Sequence, residues 1–439
     1  MRSKVALVLY YVKANKYSLN SILASIEYNN VPVDTYVVWR NEALFETINR
    51  LRNLYEKVIV GLSFFTTQLP EILGLVKLIK QYFPEVTVIG GGPHVTGDPV
   101  GSLIRIGFDY IFYGEAEETI RDFLNAVSEG DDVKSICGIG YVDGDRVIVH
   151  RRAGKINLDD YPPFPYWRRM FNPIEIMRGC PIGCKFCQVT FMHGGKPRFR
   201  SIETILKYAK IMWSMGLRDL RFIAPNSLGY MSINGVSPNH SAICELLDKL
   251  HKLSKERGGR IFFGTFPSEV RPDSVDEDII KDIRRYVANK SIIIGAQSGS
   301  NRLLKVINRK HTIEDVFNAV EIIVKNGFRP DVDFIFGLPH EDKEDVEETM
   351  KAIDKLVKMG ARIHAHTFMP LPGTPFANAP PGKIPIQVKK KLYRLIGDGS
   401  LYGQWIMQES LAEMIDWFRK NNYIYVGRKL SEKAKFMAC

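Results

Sequence analysis

The first 130 residues alternate short apolar runs with amphipathic stretches. Apolar runs of four to six residues predict buried strands, and apolar residues that recur every three or four positions predict helices. The expected strands are Val5–Tyr10, Val33–Val38, Val58–Leu62, Val86–Ile89 and Tyr110–Tyr113, and the expected helices are Leu19–Tyr28, Ala43–Tyr55, Pro70–Tyr82 and Glu117–Ala126. This order is typical of a parallel sheet, so we predict a doubly wound, Rossmann-like α/β domain over residues 1–130.

A polar connection follows, and we assign residues 131–172 to a linker. Its segment 157–165, Asn-Leu-Asp-Asp-Tyr-Pro-Pro-Phe-Pro, is rich in residues that disfavour both helix and strand. We therefore expect a domain boundary there.

A second alternation of strands and helices begins at Pro173. The expected strands lie near residues 174–177, 219–223, 260–264, 291–296, 331–336 and 362–368. Ser201 and Thr312 are good N-cap residues for two of the helices between them. Six strands with helices between them favour a partial (β/α)6 barrel of the TIM type over residues 173–378, whose ligands bind where loops leave the carboxyl ends of the strands.

The last 59 residues have a different composition. From Pro381 to Cys439 the chain carries eleven Lys and Arg against five Asp and Glu. We expect a small, mainly helical, basic extension over residues 379–439. Its aromatic residues either stack nucleic-acid bases or form an apolar stripe that closes the barrel.

Composition and charge narrow the class of protein. With 60 Lys and Arg against 49 Asp and Glu the chain has a formal charge of +11. This charge favours polyanionic partners such as RNA or anionic lipid, although a solvated basic surface explains it equally well. No apolar run reaches the roughly 18 to 20 residues that span a bilayer, and the first residues lack a cleavage site of small residues, so we expect a cytoplasmic protein.

Cys180, Cys184 and Cys187 form a C-x3-C-x2-C triplet that follows the first strand of the predicted barrel. Thiolates at this spacing can hold three irons of a 4Fe–4S cluster and leave the fourth iron open for chemistry. The alternatives are a closed zinc site with His193 as the fourth ligand, and chance clustering. The other three cysteines, Cys137, Cys244 and Cys439, are scattered, and we expect inert thiols there.

The triplet, with an apolar strand before it and Phe186 beside its last cysteine, resembles the radical S-adenosylmethionine (SAM) superfamily. The resemblance extends over roughly residues 173–375 and is closest to the branch of cobalamin-binding enzymes and tRNA methylthiotransferases. It implies that the open iron binds SAM and that a flavodoxin- or ferredoxin-like reductant supplies an electron, which cleaves SAM to a 5′-deoxyadenosyl radical.

Further SAM contacts follow from the same resemblance. Gln297 and Ser298 lie in a Gln-Ser-Gly-Ser element after the fourth strand, for which an ordinary strand-to-helix turn is the alternative. Ile335 and Gly337 lie in the fifth-strand element expected along the adenine. The remaining expected contacts are Phe186, Ser268, Glu269 and Asn226. Asn226 lies where many members have Gly-Gly-Glu to hold the SAM amino group.

The N-terminal domain resembles the cobalamin-binding domains that precede such barrels. The residues that carry the resemblance, and that we expect to contact cobalamin, are Ser63, Gly91, Gly92, Gly114 and Glu115. Glycines at strand ends allow a ligand to approach the backbone closely. The chain has no His before His94, so either cobalt has no His ligand or the pocket is vestigial.

Our leading hypothesis is a cobalamin-dependent radical SAM methyltransferase that acts on an unactivated carbon. In this scheme one SAM methylates cob(I)alamin and another yields the radical that removes a substrate hydrogen. Only Cys137 precedes the triplet, which argues against a second, sulfur-donating cluster. The alternatives are a non-methylating C–C coupling or ring closure on a lipid or modified nucleoside, and a zinc-stabilised RNA-binding protein.

His364 and His366 alternate on the last predicted strand and so share one face. They are candidates for general bases or substrate contacts, and filled core or rim positions explain them as well. The sequence assigns no other catalytic residue.

Overall fold

The computed structural model describes residues 4–152 and 154–439, which divide into two units, each with its own parallel strands. The first unit comprises the chain up to Asn172 together with Leu371–Asn378 and Trp417–Cys439, and the second comprises Pro173–Pro370 and Ala379–Asp416. Leu371–Asn378, which the sequence-based boundaries assigned to the barrel, thus belongs to the first unit. Trp417–Cys439, which they assigned to the extension, belongs to it as well.

The first unit is built on a sheet whose five leading strands run parallel in the spatial order 2-1-3-4-5, as in doubly wound folds. These strands are β1 (Val5–Tyr10), β2 (Asp34–Val38), β3 (Lys57–Ser63), β4 (Thr87–Gly91) and β5 (Tyr110–Phe112). The predicted doubly wound domain is therefore confirmed. The order of strands changes direction between β1 and β3, and in such folds the ligand binds at this point, beyond the carboxyl ends of the strands.

Helices cover both faces of this sheet because its central strands are apolar on both sides. The helices are α1 (Lys16–Tyr28), α2 (Asn41–Leu51), α3 (Leu69–Tyr82), α4 (Pro93–Gly97), α5 (Pro99–Gly101) and α6 (Glu117–Glu129), and the π-helical segment Ser102–Ile106 follows α5. On one face, Leu7 and Leu9 of β1 pack with Leu23 of α1 and with Phe123 and Leu124 of α6 in one buried cluster. This packing buries one face of the sheet, and the parallel pairing places the carboxyl ends of β1 to β5 at one edge.

Three further strands extend the sheet beyond β5, and the sequence analysis had predicted none of them. They are the hairpin β6 (Ile139–Asp143) and β7 (Arg146–Arg151), and the C-terminal strand β18 (Ala434–Ala438), which pairs with β7 in parallel. A disulfide joins Cys137 to Cys439 beside this edge. The expectation of inert thiols was therefore wrong for these two cysteines, because the fold brings positions 302 residues apart into contact.

The second unit contains the predicted barrel strands, paired in chain order. They are β8 (Ile174–Glu175), β9 (Met177–Arg178), β10 (Arg198–Phe199), β11 (Asp219–Leu220), β12 (Phe222–Ile223), β13 (Arg260–Ile261), β14 (Ser291–Gln297), β15 (Arg329–Phe336), β16 (Arg362–Thr367) and β17 (Leu401–Tyr402). Parallel pairs join β8 to β12, β11 to β13, and β14 through β17, and single bridges at Ala224–Ser268 and Val270–Ile294 link these groups. The strands thus form the partial barrel, and their carboxyl ends share one rim.

The helices of the second unit alternate with its strands. They are α7 (Val189–His193), α8 (Ile202–Ser214), α9 (His240–Arg257), α10 (Glu277–Tyr286), α11 (Asn301–Val306), α12 (Ile313–Lys325), α13 (Lys343–Lys358) and α14 (Ile386–Gly397). Ser201 caps α8 by accepting a hydrogen bond from the Thr204 amide, and Thr312 caps α12 in a reciprocal capping box with Asp315. Both predicted N-caps are confirmed.

The C-terminal part is mainly helical, with α15 (Trp405–Lys420) and α16 (Arg428–Lys433) following α14. Trp405 is fully buried and lies with its ring centroid 5.3 Å from that of Tyr393. It is therefore a core residue rather than a base-stacking surface. Among the described residues, no helix is long and apolar enough to cross a membrane.

The two faces of strands β15 and β16 differ in polarity. Val332, Phe334 and Ile363 lie on one face and are fully buried. Successive residues of a strand point to opposite faces, so Asp333 and His364 lie on the other face, where the pairing register places them side by side. The barrel therefore has polar, titratable groups on the face opposite its apolar packing layer.

Candidate functional site

The Cys loop, which we define as Cys180–Cys187, follows β9 and precedes α7. Gly179 has φ 91° just before it, and a side chain at this position would meet the carbonyl oxygen of Lys196 at 2.5 Å. Asn308, in the turn after α11, donates its Nδ2 to the carbonyl oxygens of Ile182 (2.6 Å) and Gly183 (3.0 Å). The loop is thus held both by local backbone geometry and by a distant turn of the barrel.

The three thiols of the Cys loop are close enough to affect one another electrostatically. Burial, together with the neighbouring Cys184 and Cys180, raises the pKa of Cys187 to about 12. Burial likewise raises the pKa of Cys180. Three thiolates cannot coexist there without positive charge, so the donor set fits a cationic metal centre that binds thiolate.

The number of thiols favours a cluster over a single ion. The loop offers three free cysteines, Cys180, Cys184 and Cys187. A structural zinc site usually takes four protein ligands, whereas three thiolates can hold three irons of a 4Fe–4S cluster and leave the fourth open.

The expected SAM residues fall into two groups in the structure. Phe186, Glu269 and Ile335 are partly exposed, and Gln297 has φ 76°, a conformation that non-glycine residues adopt at a cost and that is common at functional sites. Gly337 also has a positive φ, 71°, and its amide donates to Glu341 Oε2 at 2.8 Å.

The second group has its polar atoms buried or engaged within the protein. The Ser298 hydroxyl accepts from the Ser300 amide at 3.1 Å and lies 3.3 Å from the Thr349 hydroxyl. Ser268 is fully buried, and within the described chain its hydroxyl has no partner. The structure thus places Ser298 in the turn before α11, which was the alternative explanation for the Gln-Ser-Gly-Ser element.

The Asn226 side chain is engaged within the protein. Its Oδ1 accepts the amide of Arg271 at 3.2 Å, and its Nδ2 donates to the carbonyl oxygen of Val236 and to the hydroxyl of Ser274, both at 3.1 Å. The side chain is 1% exposed. Its amide stabilises the loop after β12, and the oxygen expected to hold the SAM amino group already accepts one hydrogen bond.

Glu269, in the loop after β13, differs from Asn226 in its contacts. Its carboxylate has no hydrogen-bond partner within the part of the chain that the structure describes, and burial together with the Asp333 carboxylate raises its pKa to about 7. His366 and Arg309 act in the opposite direction. A carboxylate in this setting gains most from a cationic ligand.

Asp333, His364 and His366 form a cluster that only the tertiary structure brings together. Nδ1 of His364 lies 2.9 Å from Oδ1 of Asp333 and 3.2 Å from Nε2 of His366. Burial would raise the pKa of Asp333, but the two histidines lower it overall. The sequence singled out the histidines, whereas Asp333 belongs to another strand, and the pairing register identifies it.

The donor atoms of this cluster lie close enough together to hold a metal ion. Oε1 of Gln408 accepts the amide of Thr367 at 2.9 Å, and its Nε2 lies 3.3 Å from Nδ1 of His366. Nδ1 of His364 either donates to Asp333 or accepts from Nε2 of His366, because one ring nitrogen cannot do both. The cluster can therefore serve as a hydrogen-bonding group or hold a cation.

In the first unit, the residues expected to contact cobalamin lie at the carboxyl ends of the strands. Gly92 has φ 94°, and a Cβ there would lie 2.8 Å from the Ser63 hydroxyl. A Cβ on Gly91 would meet nothing closer than 3.8 Å, so Gly91 offers open backbone surface. The Gly114 amide donates to the Thr96 hydroxyl at 3.1 Å, and Glu115 is partly exposed.

The loop after β1, where the resemblance would place a cobalt-binding His, is occupied by Asn15. Its Nδ2 donates to the carbonyl oxygens of Tyr10 (2.9 Å) and Ser63 (3.0 Å), and its Oδ1 accepts the Val12 amide. Asn15 therefore ties the end of β1 to the end of β3. This edge therefore presents the backbone groups of two strand ends, and the loop contributes no His to it.

His94 lies directly after the glycine run of β4 and is fully buried. Its Nδ1 lies 3.1 Å from the Thr66 hydroxyl, its ring lies 5.0 Å from that of Phe64, and its Nε2 has no partner within the described residues. Burial lowers the pKa of His94 to about 3. The imidazole is therefore neutral in the folded protein at physiological pH.

Comparison with known protein families finds two matches along the chain. Residues 5–124 match the B12 binding domain, and residues 174–353 match the radical SAM superfamily. Curated relatives include an uncharacterized methyltransferase of Pyrococcus horikoshii, 25% identical over 75% of this chain and 71% of the relative. A tRNA-2-methylthio-N(6)-dimethylallyladenosine synthase of Ehrlichia ruminantium is 30% identical over 50% of this chain and 47% of the relative.

Two solved structures share the fold at low sequence identity. The radical S-adenosylmethionine methyltransferase TsrM from Kitasatospora setae, with cobalamin and a 4Fe–4S cluster bound, has a TM-score of 0.67 at 16% identity and aligns over 85% of this chain and 77% of its own. The cobalamin-dependent S-adenosylmethionine radical enzyme OxsB, with aqua-cobalamin bound, has a TM-score of 0.67 at 16% identity over 96% of this chain and 62% of its own. The fold class predicted from the sequence is thus confirmed.

The buried histidine of the glycine-rich edge generates a prediction on pH. An unfolded His titrates near 6.5, so acidification below that pH protonates the unfolded chain while folded His94 stays neutral. The free energy of unfolding therefore decreases as the pH is lowered. We expect His94→Phe, which keeps a ring beside Phe64, to lose this contribution. Between pH 7.5 and 5.5 the difference in unfolding free energy between wild type and variant should change by about 1.4 kcal/mol. Urea unfolding measures it, and parallel pH dependences would contradict the prediction.

Proposed function

We propose, on the premise that this chain joins a B12-binding domain to a radical SAM domain, that it is a cobalamin-dependent radical SAM methyltransferase acting on an unactivated carbon. The observation that carries the proposal is the Cys loop, which presents three free cysteines between β9 and α7. The glycine-rich strand ends of the first unit supply the second cofactor surface.

Cys180, Cys184 and Cys187 would hold the 4Fe–4S cluster. When bound, it supplies the single electron that cleaves SAM reductively. The surrounding chain keeps the thiols ordered and largely shielded from water, with Cys184 the most buried at 7% exposure. A flavodoxin- or ferredoxin-like protein would be the electron donor.

Several residues of the barrel would position SAM. Glu269 would accept the SAM amino group in the role expected of Asn226, since its carboxylate is free to bind a cation. Ile335 and Gly337 would lie along the adenine, and Gln297, in its strained conformation, would reach the ribose or carboxylate. Phe186 remains a proposed contact because it lies within the Cys loop, beside Cys187. Ser268 remains one because it precedes Glu269 in the chain.

Ser63, Gly91, Gly92, Gly114 and Glu115 would hold cobalamin at the carboxyl edge of the first sheet. When bound, cobalamin carries the methyl group between SAM and substrate. Asn15 occupies the loop in which the resemblance would place an axial His, so the chain's contribution there is to orient the strand ends.

The names of the relatives support methyl transfer in particular. The Pyrococcus relative is described as a methyltransferase, and TsrM is a methyltransferase solved with both cofactors. The reaction would consume two SAM molecules and two electrons per methyl group transferred. It would release one S-adenosylhomocysteine, one methionine and one 5′-deoxyadenosine.

For the Cys loop we predict that Cys180→Ala, Cys184→Ala and Cys187→Ala each abolish reductive cleavage of SAM, because each removes one iron ligand. The measurement is 5′-deoxyadenosine formed by anaerobically reconstituted protein with dithionite, together with its iron and sulfide content. Cys244→Ala, which changes a thiol of helix α9 outside the loop, is the matched control and should retain activity. Normal cleavage in a loop variant would show that the loop holds no cluster.

For methyl transfer we predict that label from methyl-labelled SAM enters a product. RNA, lipid and small-molecule extracts from a strain that lacks the protein would be incubated with enzyme, cobalamin and reductant. We expect label in one of the three fractions and equal amounts of S-adenosylhomocysteine and 5′-deoxyadenosine. The basic C-terminal part favours the RNA or lipid fraction.

Other outcomes of the same experiment distinguish the alternatives. Formation of 5′-deoxyadenosine while all label stays in SAM would replace methyl transfer by a non-methylating C–C coupling or ring closure. Zinc without sulfide in the purified protein would replace enzymatic function by RNA binding.

For the cobalamin surface we predict that Gly91→Val weakens hydroxocobalamin binding at least tenfold. A side chain at Gly91 has room in the protein, so it would fill the space against which the corrin lies. The measurement is the absorbance change of hydroxocobalamin titrated with protein. Gly74→Ala, on the exposed side of helix α3, also has room for its side chain and should bind as wild type. Unchanged affinity in Gly91→Val would place cobalamin elsewhere.

A further inference from the structure

Arg309 lies in the turn after α11 and its side chain reaches the Cys loop. Nη1 lies 3.5 Å from Sγ of Cys184, and Nη2 donates to the carbonyl oxygen of Gly295 at 2.5 Å. The residue is 9% exposed. The guanidinium is thus a buried cation in contact with one thiol of the proposed cluster site.

Contacts on both sides fix the position of Arg309. Its amide donates to the carbonyl oxygen of Leu304 at 2.9 Å, and its own carbonyl oxygen accepts from Nη2 of Arg271 at 2.9 Å. Arg271 is anchored in turn by Asp273 at 2.8 Å. These contacts hold the backbone, and the guanidinium cannot move away from Cys184 without breaking its hydrogen bond to the carbonyl oxygen of Gly295.

The three cysteines receive different hydrogen-bond donors. The sulfur of Cys180 accepts from the backbone amide of Ile182, and that of Cys187 from the backbone amide of Val189. Cys184 alone among the three has a described contact with a charged donor. The direct guanidinium contact is therefore made at Cys184, the most buried thiol, while the charge of Arg309 also acts on Cys180 and Cys187.

We propose that Arg309 tunes the cluster by raising its reduction potential through Cys184. Reduction adds one negative charge to the cluster, and a nearby buried cation stabilises the reduced form more than the oxidised form. Hydrogen bonds to ligand sulfur act in the same direction. This inference rests on the proposed function, and it makes Arg309 a positioning residue that acts through a ligand.

The test is the midpoint potential of the reconstituted cluster, measured without SAM by redox titration and the electron paramagnetic resonance signal of the reduced cluster. We expect Arg309→Gln, which removes the charge and keeps a polar side chain, to lower the ratio of reduced to oxidised cluster at least tenfold at the midpoint poise of the wild type. For a one-electron couple this corresponds to about 59 mV.

Arg309→Lys is the conservative variant and keeps the charge while losing the two-pronged contact. We expect a shift in the same direction that is smaller than in Arg309→Gln. If Arg309→Gln fails to bind four irons and four sulfides, Arg309→Met, which also removes the charge, decides alone: a potential equal to wild type in the loaded variant overturns the proposal.

Arg362→Gln is the matched control. Arg362 is a barrel arginine whose Nε donates to Asp331 at 2.9 Å and whose guanidinium lies 4.1 Å from the Tyr402 ring centroid. We expect the wild-type potential in this variant. An equal shift in Arg362→Gln, or an unchanged potential in a fully loaded Arg309→Gln, overturns the proposal.

The measurement separates this inference from the proposed function. Wild-type protein that binds no iron and sulfide would contradict the proposed function itself. A wild type that loads a cluster and cleaves SAM, with variants of unchanged potential but weaker SAM binding, would contradict the tuning role alone and assign Arg309 to the SAM site.

Discussion

The candidate site of the second unit depends on the electrostatics of three thiols on one short loop. Burial and mutual repulsion oppose ionisation of Cys180 and Cys187. The same arrangement becomes favourable once positive charge is present, which is the condition that a metal cluster meets. The barrel supplies the rigidity that this arrangement needs, since Asn308 and the positive φ of Gly179 hold the loop in place.

A second feature of this unit is the polarity of its barrel strands. An ordinary packed barrel would fill both faces of β15 and β16 with apolar residues. Here Asp333, His364 and His366 interact with one another, and the Glu269 carboxylate is affected by both Asp333 and His366. Buried polar groups are costly unless they are hydrogen-bonded. Asp333 and the two histidines meet this condition among themselves, whereas the Glu269 carboxylate has no described hydrogen-bond partner.

The first unit follows a different rule, in which backbone rather than side chains forms the candidate surface. Gly92 must be glycine because its φ is positive and because Ser63 and Phe64 leave no room for a side chain. Gly91 has room and still carries no side chain. The short C-terminal strand and the Cys137–Cys439 disulfide complete the far edge of the same sheet. The sequence pattern did not predict that strand, because it has only five residues, with Lys435 as the polar one, and follows a basic segment.

The sequence alone determined the features that depend on local spacing: the strand and helix alternation of both units, the N-caps Ser201 and Thr312, and a cysteine triplet suited to three separate irons. The tertiary structure decided the features that join distant residues. In the folded chain Asn226 is hydrogen-bonded to its neighbouring loop, and the Glu269 carboxylate has no described hydrogen-bond partner. Strand register places Asp333 beside His364. Folding also brought Arg309 to Cys184, 125 positions away in the chain. Local patterns report on neighbours a few residues apart, whereas charge, burial and hydrogen bonding at a site are set by contacts that only folding creates.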